Sequence, residues 1–150
     1  MIDVKFLEQF VNIQSAVEPE PDSRFYISEV ARIASSRMYG LNLPRCTGKT
    51  TALEKYANTR SALRFDGVTC SFVNSFHKIG GFYSDRTVLG SFRGQRSNGM
   101  KYQCCVADEF NLNMHKEGVK EFFWQTIVDL NNANMLTKDF YILYLGTERV

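Results

Sequence analysis

Apolar residues recur at helical spacing near the start of the chain. Phe6, Leu7, Phe10 and Val11 share one side of a helix predicted over Val4 to Ala16. The polar hinge Glu18-Pro19-Glu20-Pro21-Asp22-Ser23 stops it, and Asp22 or Ser23 can cap the next helix. Ile27, Val30, Ala31 and Ala34 give that second helix its face, and it runs to about Arg37. The pattern then shortens to compact apolar runs. Tyr39 to Leu43 predicts a strand, with Met38 at the head of the run, and a helix follows to about Arg60. Past an Asp66-Gly67 turn, Val68 to Val73 predicts the second strand, and Asn74 to Asp85, with Gly80-Gly81, reads as irregular. Thr87 to Phe92 predicts a further strand, and a polar connector over Arg93 to Lys101 leads into an apolar run from Tyr102 to Ala107. After a loop over Asn111 to His115, Val119, Phe122, Phe123, Ile127 and Leu130 form a helical stripe; Phe122 and Phe123 suit core packing better than base stacking. Phe140 to Leu145 predicts the last strand. Strands alternating with helices predict an α/β fold with a parallel sheet and ligands at the carboxyl ends of its strands.

Composition sharpens this only slightly. A chain of 150 residues, 44% hydrophobic, can bury a sizeable single core. We divide it into an N-terminal helix and hinge over 1–22 and a globular domain over 23–150. The net charge of +2 is too small to argue for nucleic acid. No run of about 20 apolar residues predicts a membrane span, and the acids in Met1 to Phe10 exclude a signal peptide. Of the four cysteines, Cys104 and Cys105 sit side by side in a core strand and Cys46 lies in a loop, without metal-binding spacing. They are expected to be reduced thiols of a cytoplasmic protein, with Cys46 the exposed one and Cys70 the fourth. His77 and His115 fit no ligand pattern and are expected in loops or at the surface.

The candidate chemistry is concentrated in Leu43-Pro44-Arg45-Cys46-Thr47-Gly48-Lys49-Thr50-Thr51. Gly48-Lys49-Thr50-Thr51 has the form of the working end of a phosphate-binding loop. A strand, loop and helix in that order aim backbone N–H groups and the helix dipole at a polyphosphate. Lys49 would reach the terminal phosphates, and the Thr50 hydroxyl would ligate Mg²⁺. The consensus glycine five residues before Gly48 is here Leu43. A second element supports the first: Tyr102-Gln103-Cys104-Cys105-Val106-Ala107 ends in Asp108-Glu109-Phe110. An acid at the end of such a strand can hold the Mg²⁺ shell, and a second can polarise water as general base, which casts Asp108 as the metal-side group and Glu109 as the base. Taken alone, the pair also reads as a solvated acidic turn. Gly146-Thr147 ends the last strand, so a parallel sheet would bring all three sites together.

Pro44 to Thr51 resembles the deviant Walker A motif of the large terminase subunits of tailed phages, P-loop NTPases of the additional-strand catalytic-glutamate type. These commonly lack the first glycine and carry an arginine four residues before the lysine, as Arg45 precedes Lys49. Gly99-Met100-Lys101-Tyr102-Gln103 running into Val106 to Phe110 is similar to that family's approach to Walker B, and Tyr144-Leu145-Gly146-Thr147 resembles its coupling motif. The resemblance covers roughly residues 25 to 149. It implies a RecA/terminase-like, mostly parallel sheet flanked by helices, truncated after the sensor strand. Nucleotide contacts would come from Arg45, Cys46, Thr47, Gly48, Lys49, Thr50 and Thr51, with Arg45 the cis-acting arginine and Thr147 the sensor of γ-phosphate loss. The implied activity is Mg²⁺-dependent ATP hydrolysis driving double-stranded DNA packaging in the host cytoplasm. The implied partners are DNA, a portal, a small terminase subunit or a nuclease-domain chain, and further copies of the chain itself. Family members usually add another strand and a carboxy-terminal nuclease domain, and often have glutamine where Cys46 stands.

Other readings remain open. They are a helicase-type ATPase fragment, a nucleotide or nucleoside kinase without an obvious arginine-rich lid, and a non-catalytic nucleotide-binding module. Thr137-Lys138-Asp139 lacks the residue that spaces lysine from aspartate in a guanine-reading motif. Outside the resemblance, Arg45 reads as an exposed loop cation and Thr147 as an ordinary strand-end hydroxyl. Arg86, Arg93, Arg96 and Lys101 form a loose basic group that suits a solvated loop better than a DNA surface.

Overall fold

A computed structural model describes residues 1–17, 28–76 and 101–148 of the chain. Helix α1 spans Val4–Ala16 and starts where the Asp3 carboxylate accepts a hydrogen bond from the Phe6 amide at 2.9 Å. It buries Leu7 and Val11, while Phe6, expected on the same face, is 38% exposed. Helix α2 spans Glu29–Ser36, and its cap is Ser28, whose hydroxyl accepts from the Ala31 amide at 3.2 Å. The expected caps Asp22 and Ser23, and Ile27, lie outside the described residues. The expected face is also corrected: Ala31 and Ala34 are exposed, whereas Ile33 is fully buried and Val30 packs beside it. Bulk explains the difference, because an isoleucine removes far more apolar area from water than an alanine does.

The sheet has five strands in the order β1-β5-β4-β2-β3. Strand β1 is Met38–Leu43, β2 is Ala62–Asp66, β3 is Ser71–Val73, β4 is Tyr102–Asp108 and β5 is Leu136–Thr147. β1, β5, β4 and β2 run parallel, and β3 returns antiparallel on β2. Helix α3, Lys49–Asn58, follows β1, and helix α4, Val119–Asn132, precedes β5. The chain is therefore an α/β protein with a mostly parallel sheet flanked by helices.

Strand β2 was hidden in the sequence, and Val68 to Val73 does not form one strand. Arg64 breaks the apolar run of β2, but folding satisfies its charge: Nε donates to Glu54 Oε2 at 3.1 Å and Nη2 to Asn58 Oδ1 at 2.6 Å. Beyond the Asp66-Gly67 turn Val68 is exposed, and Cys70 takes a left-handed φ of 57°, so only Ser71–Val73 rejoins the sheet. The expected strand over 87–92 and most of the connector over 93–101 lie outside the described residues. β5 runs further in both directions than its apolar centre, Phe140 to Leu145.

Successive side chains of a strand face opposite ways, and the two faces of this sheet carry separate cores. Cys105 and Ala107 of β4 and Ile142 of β5 join Ile33, Phe65, Phe72, Phe110 and Phe123 on the α2 and α4 side. Cys104 and Val106 of β4, with Leu143 and Leu145 of β5, join Leu7, Val11, Leu53 and Tyr56 on the α1 and α3 side. All four cysteines are free, and only Cys46 is exposed; burial pushes the Cys104 thiol up to about 12.

Phe123 is the centre of the first core, with ring centroids 5.0 Å from Phe65 and 5.1 Å from Phe110 and no exposure. Phe122 and Trp124 are partly buried against the same core. Phe123→Ala is expected to destabilise the protein by about 3–5 kcal/mol in denaturant unfolding. Phe122→Ala should cost clearly less in the same measurement.

Candidate functional site

The parallel register gathers the ends of three strands. Leu43 at the end of β1 pairs with Thr147 of β5, and Asp108 at the end of β4 pairs with Leu145 of β5. Residues from distant stretches therefore surround one open cleft of about 1140 Å³, lined by Pro44, Arg45, Lys49, Glu109, Asn111 and Thr147 among others.

One wall is the turn between β1 and α3. Cys46 takes φ 61° and Gly48 φ 79°, and the Thr47 hydroxyl donates to the Pro44 carbonyl at 2.9 Å. Gly48 accepts the left-handed conformation without a Cβ penalty and stands at the N-cap of α3. No side chain caps that helix end, so its first amides are open to an anion. The Ile2 amide donates to the Thr47 carbonyl at 2.9 Å, which ties the start of the chain to the loop. Arg45, Cys46 and Thr51 are exposed, and Arg45 has no ion-pair or hydrogen-bond partner among the described residues.

The facing wall is Asp108-Glu109. In a continuing strand these two side chains would point to opposite faces. Glu109 instead adopts φ 50°, which bends the chain as β4 ends. A left-handed conformation costs a non-glycine residue on the order of 1–3 kcal/mol. The bend lets Glu109 line the cleft, while Asp108 stays buried. Thr50 Oγ1 donates to Asp108 Oδ2 at 2.5 Å. Lys49 Nζ lies 3.0 Å from Glu109 Oε1, and Thr147 Oγ1 donates to the same oxygen at 2.5 Å.

The two neighbouring carboxyls are tuned in opposite directions. Burial raises the pKa of Asp108; the Thr50 hydrogen bond opposes it, and the charge of Glu109 adds to the rise. Burial also pushes Glu109 up, but hydrogen bonds from Thr147 and Lys49, with the Lys49 charge, outweigh it and leave its pKa lowered. Asp108 Oδ1 is buried without a hydrogen-bond partner among the described residues. An orphaned carboxylate oxygen beside a threonine hydroxyl is a hard oxygen donor set, which fits Mg²⁺. Among the described residues no cluster of three or more His, Cys, Asp or Glu could hold a metal alone. Most of the shell would then come from water and substrate oxygens, as Mg²⁺ favours.

The structure thus brings together Lys49, Thr50, Asp108, Glu109 and Thr147, with Gly48 and Thr47 in the adjoining turn. Arg45 stands at the rim, and Cys46 and Thr51 face solvent nearby. His115 is exposed at the cleft, as expected of a loop residue, and His77 lies outside the described residues. Of the basic group, Arg86, Arg93 and Arg96 also lie outside them, while Lys101 is exposed and donates to Asn134 Oδ1 at 3.0 Å. Sequence reasoning missed Asn113, whose Nδ2 donates to the Gly67 carbonyl at 2.8 Å, and it treated Gly67 only as a turn residue. A lone asparagine in a polar loop carries no periodic signal that could have singled it out.

Fold and site define an α/β domain with a mostly parallel sheet and a polar cleft at the carboxyl ends of its strands. No protein-family model matches the chain, and no curated protein or solved structure matches it either.

The raised pKa of Asp108 makes its ionisation a liability to the folded state. Stability associated with its protonated form is complete below its ordinary value of 3.8 and is lost as pH rises through the higher native value. At neutral pH without divalent cation, Asp108→Asn is expected to melt at the same temperature as the native chain or up to about 4 °C higher. Thermal denaturation in a chelator checks this.

Proposed function

We propose that the chain is a Mg²⁺-dependent ATPase resembling the motor domain of phage terminase large subunits. The observation that carries this reading is the meeting of an ammonium, a hydroxyl and two adjacent acids at one helix N-terminus. Lys49 Nζ is 3.0 Å from Glu109, and Thr50 Oγ1 is 2.5 Å from Asp108, although the two segments are far apart in sequence. The sheet supports it as well. β5 lies between the strand that leads into the loop and the strand that ends in the acids, so Thr147 stands between the two motifs.

In this mechanism the open amides of α3, with Gly48 allowing close approach, hold the β-phosphate. Lys49 exchanges Glu109 for the β- and γ-phosphate oxygens. Thr50 and Asp108 Oδ1 are the groups that would hold Mg²⁺, which when bound supplies positive charge against the phosphate oxygens. Glu109, ionised at neutral pH because its pKa is lowered, orients water and takes up its proton during in-line attack. Thr147 holds the Glu109 carboxylate through Oε1, the oxygen that Lys49 also contacts. Arg45, free at the rim, swings inward to stabilise charge on the transferred phosphoryl group. Thr47, Cys46 and Thr51 contribute backbone or side-chain contacts along the phosphates.

Coupling of turnover to double-stranded DNA packaging, and association with a portal, a small terminase subunit or a nuclease-domain chain, follow from the motif resemblance alone. DNA-stimulated hydrolysis would support that part.

Glu109→Gln is expected to bind ATP normally and to lower turnover at least about 10²-fold. Lys49→Ala should weaken ATP binding itself. Fluorescent-nucleotide titration and phosphate release separate the two effects, and wild-type turnover in both variants would refute the assignment.

A further inference from the structure

We infer that Gly67 and Asn113 are positioning residues for Glu109, acting through the backbone bend at the end of β4. This rests on the ATPase reading above, because it takes Glu109 as the base. Two acids consecutive in a strand can both meet the start of one helix only if the chain turns, and the left-handed φ of 50° at Glu109 is that turn, with Asp108 on Thr50 and Glu109 on Lys49. Something must hold a conformation that a glutamate does not prefer.

The neighbouring β2–β3 turn holds it. The Gly67 amide donates to the Asp108 carbonyl at 2.8 Å, continuing the β2–β4 ladder one step beyond the Asp66–Asp108 pair. Residue 67 also touches the bend so closely that a Cβ there would stand 1.9 Å from the Glu109 carbonyl oxygen and 2.9 Å from that of Asp108. No side chain fits, so glycine is required by contact with backbone that cannot yield. Asn113, in the loop after the bend, closes the clamp from the other side: its Nδ2 donates to the Gly67 carbonyl at 2.8 Å. The Asp66 carboxylate stiffens the same turn by accepting from the Val68 amide at 2.8 Å. Gly67 is thus fixed at both polar groups, one to the strand end that carries the acids and one to the loop that leaves it. Neither residue reaches the reacting atoms, and their effect is to aim the Glu109 carboxylate.

Asn113→Asp keeps the side-chain shape and removes the donor, and Asn113→Ala removes both. Each is expected to lower kcat about 10-fold while KM and the Kd for a non-hydrolysable ATP analogue stay within about two-fold. Gly67→Ala should lower kcat about 10²-fold or more. A decisive readout is the double variant. If Asn113 acts by aiming Glu109, Asn113→Asp should add no further loss to Glu109→Gln, since no base remains to be aimed. Unchanged kcat in both Asn113 variants would overturn the inference, as would equal losses of Kd and kcat, or additive losses in the double variant. Glu109→Gln alone separates the two levels. If it turns over like the native chain, the ATPase reading fails and this inference with it. If it is inactive while Asn113→Asp is fully active, only the positioning role fails.

Discussion

Strand β5 is hydrogen-bonded on both edges, to β1 through Met38–Leu43 and to β4 through Cys104–Asp108, and the geometry of the cleft follows from those two ladders. Ile142, Leu143 and Leu145 are fully buried and divide between the two cores, so a one-residue slip would exchange the side chains that fill each core and break the packing of both. That penalty locks the register. With the register locked, β1 and β5 end together at Leu43 and Thr147 and β4 ends at Asp108 opposite Leu145, so Lys49, Thr147 and Glu109 meet at one end of the sheet. The contacts between them are a consequence of apolar burial several residues away.

The cleft itself opposes that economy. Asp108 and Glu109 are adjacent acids, one desolvated with an unpartnered oxygen and the other held ionised by an ammonium and a hydroxyl. A left-handed glutamate and an orphaned carboxylate oxygen both work against folding, and neither is needed to complete a core. Local departures of this kind are where a fold makes room for a ligand. Here the departures lie together beside the N-terminus of α3.

Much of the architecture was legible in the chain. The boundaries of α1 follow from its Asp3 cap and the spacing of Leu7 and Val11. The loop after β1 and the acid pair after β4 are short motifs whose chemistry is carried by contiguous residues. What escaped were features set by partners remote in sequence. β2 was not among the predicted strands; Arg64 breaks its short apolar run, and Glu54 and Asn58 on α3 satisfy that arginine in the folded chain. The face of α2 was misjudged because alanines fit either side of a helix, and the choice fell to where Ile33 finds the sheet.

The sequence by itself determined helix α1, the strands that flank the loop and carry the acids, and the presence of an ammonium, a hydroxyl and paired acids, because each is encoded within a few residues. The strand order, the backbone bend at Glu109 and the clamp through Gly67 and Asn113 were decided only in three dimensions. They depend on backbone groups meeting across the sheet, and a backbone amide or carbonyl leaves no mark in the residue type that carries it.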